Sequence, residues 1–150
     1  MRLALGTCVL VIASTVAQAD TAKLVKQYSG RVVISPDAAP TLATELPAHV
    51  KANAVAGDHY ELVKGPPWVI HIVGFLAKDP GAATVQLVLT DVDDKQAEPV
   101  VSVDVATKNR LVITKTEATT AAGFVDNHTY LVRLMHGKTV LAKAELKLRN

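Results

Sequence analysis

Cysteine is nearly absent from this chain: of its 150 residues only Cys8 carries a thiol. Cys8 lies inside an apolar N-terminal run, so the rest of the chain can form neither a disulfide nor a thiolate metal site, and thiol catalysis is excluded there. Aromatics are few, with one Trp, three Tyr and two Phe. Sugar platforms and single-strand nucleic-acid grooves stack ligands on several aromatic faces, which this chain can hardly supply once its core is served. An excess of one charge is missing too, since 16 Lys+Arg stand against 14 Asp+Glu. The late lysines Lys138, Lys143 and Lys147 alternate with apolar residues or Glu145, the pattern of a solvated strand face. Nucleic acid, which needs a clustered basic face, is therefore not expected as a partner.

Long hydrophobic runs are limited to one. Arg2 supplies a positive start, Leu3 to Ala17 are apolar except for Gly6, Thr7, Ser14 and Thr15, and Ala17-Gln18-Ala19 offers a small-x-small cleavage triplet. This order predicts a signal peptide over residues 1–19, cut before Asp20, rather than a buried N-terminal helix. A lipoprotein anchor would need its Cys after the apolar run, and Cys8 is within it. The run is short for a bilayer span and no later segment is apolar enough, so no transmembrane segment is expected in the mature chain. Removing 19 residues from 150 leaves 131, enough for one domain with its own core, and loss of Arg2 brings the net charge to about +1. Export without disulfides suits a bacterial periplasmic or secreted protein. The expected organisation is a signal peptide (1–19), a flexible leader (20–27) and one domain (28–150).

What the chain has in quantity is Val and Thr, in short runs separated by Gly, Pro, Asn and Asp. That composition predicts many strands. Arg31 to Ser35 is a first strand; Thr41 to Glu45 can form a helical turn between Pro40 and Pro47; the alternation from His49 to Ala54 suggests a half-buried strand; Tyr60 to Val63 is a short return strand. Trp68 to Leu76 is apolar on both faces, as expected of a central strand. Thr84 to Thr90, Val100 to Val105 and Leu111 to Lys115 follow, with Asp91 to Pro99 as the longest polar connection. The clearest hairpin is last. Thr129 to Met135 meets a turn at His136-Gly137-Lys138, after which Val140 to Arg149 alternate with period two. The predicted core is Val33, Trp68, Ile70, Ile72, Val85, Leu87, Leu89, Val103, Leu111, Ile113, Tyr130, Val132, Leu134, Ala144 and Leu146.

The segment from Gly123 to Leu134 resembles the late strand of immunoglobulin-like and fibronectin type III-like sandwiches. In those domains a Tyr near the strand start packs at a sheet corner and apolar residues follow at every second position; Tyr130, Val132 and Leu134 match. The chain lacks both core cysteines of the immunoglobulin pattern, and its final hairpin is short beside the fibronectin one. The resemblance implies an all-β, antiparallel two-sheet sandwich of immunoglobulin-like type after an N-terminal signal helix. It carries over no functional residues, because the same sandwich hosts unrelated activities.

Candidate chemistry is thin. Asp91-Val92-Asp93-Asp94 gathers carboxylates in one loop, as calcium requires, but lacks the turn Gly and closing Glu of an EF-hand. His49, His59, His71, His128 and His136 are scattered, with no i,i+2 or i,i+4 pair to clamp copper or zinc. Ser29, Ser35 and Ser102 have no local catalytic partner, and no nucleophile elbow or metalloprotease motif is present. Asn127-His128-Thr129 is a glycosylation sequon that also reads as a turn. No catalytic, cofactor-binding or metal residue is assigned, no cofactor is expected, and folding should not depend on metal. The expected function is an exported, non-catalytic binding or structural module of the bacterial periplasm or envelope, with another protein or an envelope component as partner. A small-ligand or metal carrier, for calcium or copper, is the alternative. An enzyme whose residues converge from distant strands is the third reading.

Overall fold

The computed structural model describes residues 20–95 and 98–150. Residues 1–19, where the signal peptide is expected, lie outside the described residues, as do Gln96 and Ala97. The chain is mostly β. Its strands are β1 (Val32–Ser35), β2 (His59–Leu62), β3 (Trp68–Phe75), β4 (Thr84–Asp91), β5 (Val101–Ala106), β6 (Leu111–Ala118), β7 (Thr129–His136) and β8 (Thr139–Leu148). They form a three-stranded sheet of order β1-β3-β6 and a five-stranded sheet of order β2-β8-β7-β4-β5. The inner faces of both meet in one core, in a sandwich-like arrangement.

Period-two patterning explains most of this core. Ile70 and Ile72 of β3 face Leu87 and Leu89 of β4, Val132 and Leu134 of β7, and Leu146 and Leu148 of β8, all essentially inaccessible. Trp68 closes one end, donating its indole N–H to the Arg149 carbonyl at 2.7 Å. Gly74 of β3 carries no side chain where Leu134 of the opposite sheet presses in; a Cβ there would collide with the Leu134 methyl. The β7–β8 hairpin turns at Gly137, whose φ of +60° suits glycine, and its register shifts once between Leu134 and Met135.

A second, smaller core lies on the outer face of the three-stranded sheet. Val33, Val73 and Phe75 point away from the sandwich interior and pack against Leu24 and Val25 of helical residues 20–27 (α1) and Leu46 and Val50 of a helix over Leu46–Asn53 (α2). This explains why β3 is apolar on both faces: one side meets a sheet, the other a helical layer.

Several expectations are corrected. Residues 20–27, expected as a flexible leader, are helical and bury Leu24 and Val25. His49 to Ala54, expected as a strand, is chiefly the helix α2, because Leu46 and Val50 stand four apart and share one buried face. Pro47 sits in the first turn of α2, where its missing N–H costs no hydrogen bond, and Lys51 in the last turn suits the helix dipole. The five-stranded sheet is not wholly antiparallel, since β2 runs parallel to β8. Val103 and Ile113, placed in the core by alternation, are 48% and 49% exposed. Val103 lies on the edge strand β5, and Ile113 pairs with the outward-facing Val73, so its neighbour Val112 is the buried one.

Candidate functional site

Asp91 ends β4 on the same parity as Leu87 and Leu89, so its carboxylate turns inward at the rim of the core and is 6% exposed. An acid there needs hydrogen-bond partners. Its Oδ1 accepts the Asp93 backbone N–H at 2.9 Å, the local turn that Asp favours. Its Oδ2 lies 2.6 Å from His128 Nδ1. Asp93 Oδ2 in turn accepts the Thr129 N–H at 2.7 Å. The ladder sets this convergence: Asp91 pairs with Tyr130, which brings the residues just before β7 beside the end of β4.

The hydrogen bond to Asp91 raises the His128 pKa above its ordinary value, opposed by burial and helped by the charges of Asp91, Asp93 and Asp94. His128 thus remains an imidazolium to higher pH than a free histidine. Among the described residues, Asp91, Asp93 and His128 form a group whose donor atoms lie within 4.8 Å of one another, the spacing of a cation site. An imidazole in the set departs from the all-oxygen preference of calcium and suits a borderline cation better. Each of these donors already has a protein partner, however, and the bonds tie the β4–β5 connection to the start of β7. The cluster therefore acts first as a loop clasp.

The same end of the sandwich is held by Tyr130. Its hydroxyl accepts the Val125 N–H at 2.8 Å, its ring lies 5.0 Å from that of Phe124, and burial raises its pKa. Tyr60 repeats the device, accepting the Val55 N–H at 3.3 Å. Asn127, just before His128, has φ +66°, the turn conformation expected of it.

Of the sequence candidates, the fold joins the Asp91–Asp94 loop to His128 and leaves the other histidines apart. His49 is on α2, His71 on β3 and His136 at the end of β7, while His59 Nδ1 pairs with Glu145 at 2.7 Å. The Asp91–His128 couple is 37 residues apart in sequence and carries no motif; only strand pairing reveals it. No family model matches the chain, and neither a curated protein nor a solved structure matches it.

Proposed function

We propose that this chain is an exported, non-catalytic binding or structural module of the bacterial periplasm or envelope, built on an immunoglobulin-like sandwich. The observation that carries the reading is the open outer face of the five-stranded sheet. Among the described residues, the helical layer covers only the three-stranded sheet, and no residue of the larger sheet belongs to the core beneath it. Across that open face run His59, Glu145, Leu131 and Thr90 on four adjacent strands, a mixed surface of the kind that presents a partner-binding patch. Strand order supports the immunoglobulin-like assignment, with β1-β3-β6 opposing a sheet in which β4, β7 and β8 are neighbours. So does the hydroxyl of Tyr130, near the start of β7, which reaches back five residues to the Val125 backbone N–H in the preceding connection.

The order of charge, apolar run and cleavage triplet in residues 1–19 supports export. Amino-terminal sequencing of the protein recovered from its native host tests it: a start at Asp20 in a periplasmic or extracellular fraction is expected. An uncleaved cytoplasmic product would refute export. Affinity capture from envelope extract then tests the binding role. Recovery of one component, lost when Leu131 and Glu145 are both replaced by Lys, is expected.

Metal carriage is the second reading, favoured by the convergence of Asp91, Asp93 and His128. An enzyme built from residues that converge from distant strands stands third. The Asp91–His128 couple has the form of an oriented base, and its ring is bonded, among the described residues, to Asp91 alone rather than to a nucleophile.

A further inference from the structure

Like charges directly opposite on neighbouring strands oppose sheet formation unless something answers them. The β7–β8 register sets Arg133 directly against Lys143 on the outer face of the five-stranded sheet. The nearby acids are engaged elsewhere: Glu145 is held by His59 at 2.7 Å, and Asp58 by Arg31 at 2.8 Å. Among the described residues, neither Arg133 nor Lys143 has an ion pair. Arg133 spends one N–H on Thr90 Oγ1 at 2.9 Å, and its Nε is buried without a hydrogen-bond partner.

The two cations line a groove of about 410 Å³ whose other walls include Leu131, Val140, Leu141 and Ala77. That volume falls in the range of small-molecule sites, and apolar walls with a few convergent polar groups are their usual make-up. An adjoining hollow of about 240 Å³ shares Leu131 and Lys143 but ends on Asp58, His59 and Glu145. The acids there disfavour an anion, so the charged end of a ligand belongs beside Arg133.

We propose that this groove binds a small amphipathic anion, with a carboxylate or phosphate head between Arg133 and Lys143 and a short apolar body along Leu131 and Val140. The planar Arg fork and the mobile Lys ammonium both suit such a head. The inference goes beyond the module reading and holds in whatever compartment the protein resides.

Amide NMR titration of the purified protein with hexanoate, hexyl phosphate, acetate, inorganic phosphate and hexanol tests it. Saturable shifts are expected around Leu131–Arg133 and Ala142–Lys143 with hexanoate or hexyl phosphate, whichever binds tighter identifying the head. Acetate and inorganic phosphate should bind roughly tenfold more weakly, and so should hexanol. Lys143→Gln, at an exposed position, should weaken the better ligand roughly tenfold with the rest of the spectrum unchanged, and Arg133→Gln likewise. Absence of saturation with all five probes overturns the proposal. Equal binding of hexanol, equal binding of the small anions, or indifference to both substitutions would each do the same.

Discussion

Replacing Tyr130 by Phe removes one oxygen from the end of the sandwich beside the clasp and leaves the shape of the ring intact. The ring is fully buried against Phe124, and its hydroxyl accepts the Val125 N–H at 2.8 Å. Since the ring stays, the apolar transfer and packing contributions are retained, and the loss is that of one hydrogen bond, about 1 kcal/mol. For a domain of this size the melting temperature should fall by about 3–6 °C. Tyr130→Ala, which empties the site, should cost about 3–5 kcal/mol. Tyr60→Phe should cost less than Tyr130→Phe, because its bond to Val55 is longer at 3.3 Å. Urea unfolding of the three variants, with the m-value checked for constancy, gives the ranking. If Tyr130→Phe proves neutral, or costs as much as Tyr130→Ala, the role assigned to this hydroxyl is wrong.

His128 should titrate above the ordinary histidine value in an NMR pH series, and Asp91→Asn should bring it back down, because the Asp91 hydrogen bond is the largest cause of the rise. Its sign for stability follows: with the folded pKa raised, the contribution is complete below about pH 6.5 and is lost as pH climbs through the folded value. A pH series of thermal melts in which Asp91→Asn flattens the decline checks this, and an unchanged slope counts against the clasp. Gly74→Ala should destabilise by about 1–3 kcal/mol, since the new methyl meets Leu134 inside a packed core. Gly74→Ala/Leu134→Ala should then cost less than the sum of the single changes in a double-mutant cycle, and simple additivity would disprove the contact.

Local pattern was enough to find the strands that bury one face. The alternation of β7 and β8, with Gly137 between them, determines both the hairpin and its inward set, because period two admits only two choices and one of them exposes Val132, Leu134, Leu146 and Leu148. Val85, Leu87 and Leu89 are legible for the same reason, whereas Trp68, Ile70 and Ile72 are legible from an apolar run that needs cover on both faces. Pattern fails where the opposing layer, not the strand, decides burial. Val103 has inward parity but sits on an edge strand, and the parity choice within β6 falls to Val112 because Ile113 faces the outer side of its sheet. His49 to Ala54 alternates over too few residues to separate strand from helix; contact of Leu46 and Val50 with the outer face of β1 and β3 selects the helix. The parallel pairing of β2 with β8 and the meeting of Asp91 with His128 have no local signature at all. They follow from which strands become neighbours, a result of burying two sheets and a helical layer together, and no short window of sequence contains that information.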